Sequence, residues 1–178
     1  MRMNISPKPR LIEAHRFVAA VILVIAGATI LSALFMEYVL GMRPCLLCLY
    51  QRWPYYAAIP VAALIVAIAP GERVSRAGLA LLGLIFVVSS GLGAYHAGVE
   101  WGFFIGPTGC GGAAVPAAGS MEDFMRQLET VRVVSCNAPA WVFLGLSMAG
   151  WNAIISAVIA IIAFASAATP SRPVSLTR

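Results

Sequence analysis

Apolar side chains in this sequence gather into long unbroken runs, with the polar positions crowded between them. Four runs reach the roughly 20 residues that a membrane-crossing helix requires: 17–36, 46–69, 79–97 and 141–165. The first has no charge, and the second holds Arg52 together with Pro54 and Pro60, which a membrane helix tolerates when neighbouring helices satisfy the freed backbone groups. The third ends near His96, the fourth has no ionisable group, and Pro70-Gly71 breaks the chain between the second and third. A basic leader precedes the first run, as in a secretory signal, but the run exceeds the 7–15 residues of a signal core and is expected to be retained. The pattern predicts an all-α membrane protein, a single integral membrane domain over 1–178. Its architecture is a four-transmembrane-helix bundle with loops at about 37–45 and 98–140 on one side.

Composition sharpens that picture. Hydrophobic residues make up 61% of the 178 and charged residues 11%, against roughly 25% charged in soluble domains. So few charges exclude both a soluble globule and a disordered chain. The net charge is +5, but the basic residues lie almost wholly outside the apolar runs. They therefore read as topology signals, with contact to a lipid bilayer and no nucleic acid as partner. Arg2, Lys8, Arg10, Arg16, Arg73, Arg76, Arg172 and Arg178 fall on one side, and Arg43, Arg126 and Arg132 on the other. The richer side is cytoplasmic by the positive-inside rule, so both termini are expected there and the loops 37–45 and 98–140 outside.

All four cysteines lie on or beside those two outward loops. Cys110 and Cys136 bracket the longer one, where a bridge over about 26 residues would contribute roughly 3 kcal/mol as a structural staple. Cys45-Leu-Leu-Cys48 differs, because a bridge closing two residues hardly constrains an unfolded chain and such spacing is typical of disulfides that are made and broken. Pro44 marks a helix start there, and cysteines at a helix N-terminus feel the positive end of the dipole, which favours thiolate. Two structural bridges remain an alternative. Zinc is a weaker one, because Cys110 and Cys136 form no second close pair and His15 and His96 are the sole histidines, so no metal is expected.

Arg52 follows Cys48 by one helical turn and Cys45 by two, so all three share a face. A charge inside a span costs about 2.5–3.5 kcal/mol and marks function by default, although an interfacial arginine can snorkel to headgroups. Here a guanidinium could lower a nearby thiolate's pKa and donate hydrogen bonds to a carbonyl oxygen of a lipid-soluble acceptor. In the longer outward loop, Trp101-Gly-Phe-Phe suits a membrane interface and the glycines around Cys110 leave its backbone uncrowded. From Ser120, Met121, Phe124, Met125, Leu128 and Val131 recur on one face, with Glu122, Asp123, Arg126 and Glu129 mostly opposite, predicting a short amphipathic helix. It could lie on the bilayer or against the bundle top. His96 is a candidate for a quinone or proton role, or an interfacial histidine partnered by Glu100. Met148 and Trp151 read from composition as packing residues.

Four spans, Cys45-x-x-Cys48 followed by Gln51-Arg52, a widely spaced cysteine pair in the second outward loop, and the stretch Cys136, Trp141, Phe143-Leu-Gly-Leu146, Met148 and Trp151 resemble the disulfide bond formation protein B (DsbB) family. The resemblance covers about residues 15–165. It implies a protein-disulfide:quinone oxidoreductase of the bacterial inner membrane that reoxidises a DsbA-like periplasmic thioredoxin-fold protein. By position, Cys110 would be attacked by the partner, and Cys136 would be its bridge partner and pass electrons on through Cys45. Cys48 would contact a quinone, ubiquinone or menaquinone, beside Arg52, with His96 and Met148 lining its site. A vitamin K epoxide reductase-like enzyme is the rival enzymatic reading, but its CxxC lies after the loop cysteines and here it comes first. A non-enzymatic four-span scaffold or channel with two inert bridges is the other.

Overall fold

The computed structural model describes residues 9–68, 71–107, 120–122, 125, 132–133, 136–139 and 141–169. Among these, four long helices carry the fold: α1 (Pro9–Tyr38), α2 (Leu46–Ile68), α3 (Glu72–Glu100) and α4 (Met148–Ala168). Short strands join them at one end, namely β1 (Met42–Arg43), β2 (Arg132–Val133), β3 (Val142–Phe143) and β4 (Leu146–Ser147). Each helix buries one stripe at helical spacing: Ala19, Ile22, Ala26 and Ile30 in α1; Tyr55, Ala58, Ala62 and Ile65 in α2; Leu79, Leu82 and Phe86 in α3; Ile159, Ala160 and Ala163 in α4. The outward faces are apolar as well, with Phe17, Val24, Leu31, Leu84 and Ile161 all exposed. A water-soluble bundle would have polar side chains there; a bundle in lipid has no such need.

Three of the helices, α1 from Glu13, α3 and α4, are long and apolar enough to cross a membrane, so the chain is a multi-pass, all-helical membrane protein. α2 has the length, 23 residues, but Gln51, Arg52, Pro54 and Pro60 interrupt its apolar run. α3 starts at Glu72, earlier than the apolar run at 79, because Val74 and Ser75 donate to the Gly71 carbonyl at 3.0 and 3.1 Å and close its first turn. The run 141–165 is corrected at its start. Residues 142–147 form a β3–β4 hairpin whose two turn residues, Leu144 and Gly145, have φ of 52° and 79°. Helix α4 begins only at Met148, where Ser147 caps it by accepting the Gly150 N–H at 3.2 Å.

Helices α3 and α4 share the most extensive contact in the bundle. They approach closely at Gly93, where a Cβ would stand 2.8 Å from the Ala153 backbone nitrogen. At the end of the bundle away from the cysteines, side chains occupy the C-terminal carbonyls of α2 and α4. Arg16 donates to Val66 O at 3.0 Å, Arg76 to Ala167 O at 2.7 Å, and His15 Nε2 lies 3.1 Å from Ser166 O. At the other end β1 and β2 pair in parallel, Met42 with Arg132 and Arg43 with Val133, and so tie the two loops together. Of the expected amphipathic helix, Met121, Glu122 and Met125 are helical and exposed, while Asp123, Phe124, Arg126, Leu128, Glu129 and Val131 lie outside the described residues.

Candidate active site

The start of α2 is built from its own cysteines. Pro44 and Cys45 follow β1, and the Cys45 carbonyl accepts the Leu49 N–H at 3.1 Å, closing the first turn. The Cys45 sulfur accepts the Cys48 N–H at 3.2 Å, the bond a serine or aspartate oxygen makes at an ordinary helix N-cap. Helical geometry then brings the two sulfurs to 2.8 Å, with the Cys45 thiol donating to Cys48. The helix end was expected to favour thiolate at both positions. At Cys45 the opposite holds: its thiol is pushed up to about 12, first by the hydrogen bond it gives Cys48 and then by burial.

Cys136, three residues beyond β2, is fully buried in one small cluster with Cys45, Leu47 and Val99, against which Cys48 also packs. The β1–β2 ladder thus carries the second loop's cysteine to the first loop's pair. Cys110, the remaining cysteine of the sequence reading, lies outside the described residues.

Beside the sulfurs opens a cavity of about 570 Å³ between the four helices. Its α1 wall is mainly apolar, and Cys48, Arg52, His96 and Met148 all line it. Arg52 is mostly buried; its guanidinium pairs with Glu37 and lies 3.5 Å from the Ala33 carbonyl, both in α1. Among the described residues its hydrogen bonds therefore run to α1, not to either thiol. Glu37 was not among the residues singled out from sequence, although an acid at the end of an uncharged span is itself a signal.

A directed hydrogen-bond chain fixes His96. Tyr55 O–H donates to Asn152 Oδ1 at 2.5 Å, Asn152 Nδ2 donates to Gln51 Oε1 at 2.6 Å, and Gln51 Nε2 donates to His96 Nδ1 at 2.6 Å. An amide nitrogen can only donate, so Nδ1 accepts and a neutral ring bears its proton on Nε2. That nitrogen faces Cys45 Sγ and Glu100 Oε1, each 3.8 Å away. The other carboxylate oxygen of Glu100 is buried without a partner among the described residues. Gln51 entered the sequence reading only through the motif, and Asn152 and Tyr55 not at all.

Cys45, Cys48 and His96 place their donor atoms within 4.8 Å of one another, which raises the question of a metal. Two thiolates on tetrahedral zinc, with Zn–S near 2.3 Å, would stand roughly 3.8 Å apart. The observed 2.8 Å falls well short of that spacing.

A family model described as "Disulfide bond formation protein DsbB" matches residues 15–166. A disulfide bond formation protein B of Marinobacter nauticus is 28% identical over 156 residues, which cover 83% of this chain and 88% of that protein. Proteins of the same name from Xanthomonas oryzae pv. oryzae and Albidiferax ferrireducens are each 32% identical, over 68% and 74% of this chain and 72% and 75% of their own.

Proposed function

The chain belongs to the DsbB family of disulfide bond formation proteins, and from that premise we propose that it oxidises a DsbA-like periplasmic thioredoxin-fold dithiol and passes the electrons to a membrane quinone. In this reading all four helices span the bacterial inner membrane, both termini are cytoplasmic, and the cysteine end of the bundle faces the periplasm. The observation that carries it is the convergence of Cys48, Arg52, His96 and Met148 on one cavity, with Cys45 and Cys136 packed behind Cys48.

The cavity suits a quinone. Its volume of about 570 Å³ falls within the range of small-molecule sites, roughly 300–1,000 Å³. Its walls are mainly apolar, Arg52 and His96 are donors suited to carbonyl oxygens, and Glu100 Oε2 is a buried oxygen without a partner among the described residues. A bound quinone would supply an acceptor for two electrons and two protons.

The protein's own steps are exchanges at sulfur. A partner thiolate attacks Cys110 of a Cys110–Cys136 disulfide, and the Cys136 thiolate leaves. Cys136 then attacks Cys45 of a Cys45–Cys48 disulfide and releases Cys48 as thiolate at the cavity wall. The partner's second thiolate resolves the mixed disulfide at Cys110, and the partner leaves oxidised. Cys110 then attacks Cys136 and frees Cys45, which restores the loop disulfide and leaves Cys45 and Cys48 reduced by the partner's two electrons. Arg52, which lines the cavity and pairs with Glu37, supplies positive charge where negative charge collects.

Purified protein in lipid, given reduced partner and either a short-chain ubiquinone or menaquinone, should consume quinone in step with partner oxidation. Cys48→Ser should abolish that consumption. No turnover with either quinone, with both cysteine pairs inert to reductant, would overturn the reading in favour of a structural scaffold.

A further inference from the structure

Resting on the reading above, we propose that Glu37 is a specificity-determining residue: by cancelling the charge of Arg52 it reserves the cavity for neutral carbonyl ligands and turns anions away. Glu37 follows the uncharged apolar run 17–36 of α1 and does not itself line the cavity. Its carboxylate pairs with Arg52, which does line it. The two side chains are 25% and 12% exposed, so solvent ions screen the pair weakly. Without Glu37, an apolar cavity inside a bilayer would present a bare guanidinium, which attracts amphiphilic anions such as fatty-acid carboxylates.

The charges around the cavity leave nothing over for an anion. Among the described residues Arg52 is the one lysine or arginine lining it, against one lining acid, Glu100, and Glu37 paired with the guanidinium. His96 adds an N–H but no charge, because its Nδ1 accepts from Gln51 and the neutral ring carries its proton on Nε2. One cation thus stands with two acids. A buried anion without a partner of its own is costly. A neutral carbonyl asks only for N–H donors, and a guanidinium has five. Among the described residues, Nη1 donates to Glu37 and Nη2 lies 3.5 Å from the Ala33 carbonyl, which leaves further donors for a ligand. Excluding anions also keeps Arg52 for the Cys48 thiolate of the proposed relay, since an anionic ligand would compete for the same guanidinium.

The test is equilibrium binding to the oxidised full chain in lipid, where no thiol is present to react with the probe. Two probes of nearly equal shape are compared: a hydroxynaphthoquinone, an anion at neutral pH, and its methyl ether, which is neutral. Partition into lipid is common to all variants and cancels between them. The wild type should favour the ether. Glu37→Gln keeps an oxygen that accepts the Arg52 hydrogen bond but removes the charge. It should raise the ratio of anion to ether affinity about 10-fold, the lower end of what a charge-assisted hydrogen bond is worth. Glu37→Ala should raise the ratio as well, and adding Arg52→Ala to Glu37→Gln should abolish the gain. An unchanged ratio in Glu37→Gln, or a rise confined to Glu37→Ala, would mean that Glu37 only holds Arg52 in place and would overturn the proposal. If the ratios shift as stated but the wild type reduces no quinone with its reduced partner, the parent reading fails while the charge selection stands. If quinone is reduced and the Glu37→Gln ratio does not move, the charge selection alone fails.

Discussion

Arg52 and Cys45 each take their character from one neighbour. Arg52 is held by Glu37 of α1, so its charge is fixed in position rather than free to reach headgroups. Arg52→Ala is expected to slow quinone-coupled turnover about 10- to 100-fold, the worth of one charge-assisted hydrogen bond. Exchange with the partner, followed separately by trapping the mixed disulfide, should fall much less; equal loss in both assays would remove Arg52 from the quinone site. Cys45 has a different signature. Its thiol is held up to about 12, so in the reduced protein it stays protonated where an ordinary cysteine, near 9.0, has ionised. The raised value means that the folded, reduced protein keeps a proton the unfolded chain gives up. Its contribution to stability is therefore full below about 9 and is lost as pH rises toward 12. Alkylation of Cys45, read by peptide mass spectrometry, should show no rise with a midpoint near 9; such a rise would show that the Cys45–Cys48 hydrogen bond does not hold the proton.

Between elements, the decisive contact is α3 against α4. A Cβ at Gly93 would meet backbone atoms of Ala149 and Ala153 at 2.8–3.0 Å, which cannot swing aside. Gly93→Ala should destabilise the bundle by about 1–3 kcal/mol in detergent unfolding. Gly27→Ala in α1, with nothing within 4 Å, should be neutral or stabilising by about 0.5–1 kcal/mol. Similar effects at both sites would mean that close packing at Gly93 is unimportant. The elements also show where the sequence was readable. Apolar runs announce helices of membrane length, and Pro44 with Cys45 announces the start of α2. The β3–β4 hairpin was hidden because Val142, Phe143, Leu144 and Leu146 continue the apolar run, and hydropathy does not register a change of backbone direction. Its signals were Gly145 as a turn residue and Ser147 as a cap. The site divides the same way. Cys45, Cys48 and Arg52 are legible because they share one helical face, whereas Glu37, Asn152 and Tyr55 join it only through contacts between helices that no local spacing encodes.

Taken whole, the molecule separates its tasks by end. One end fastens helix termini with Arg16, Arg76 and His15; the other gathers sulfur, acid, imidazole and guanidinium around a cavity. The middle is a core of small, branched and aromatic side chains, crossed by the buried hydroxyls of Ser89 and Ser156, 3.0 Å apart. At that second end the two-residue ladder of β1 and β2 is a small feature with a large kinetic meaning. By leashing the loop that bears Cys136 to the strand that leads into Cys45, it replaces a search through solution with a standing local concentration of one thiol at the other. In the proposed relay, transfer from loop to bundle is then as fast on a dilute protein as on a concentrated one. Only the arrival of the outside partner remains a matter of encounter.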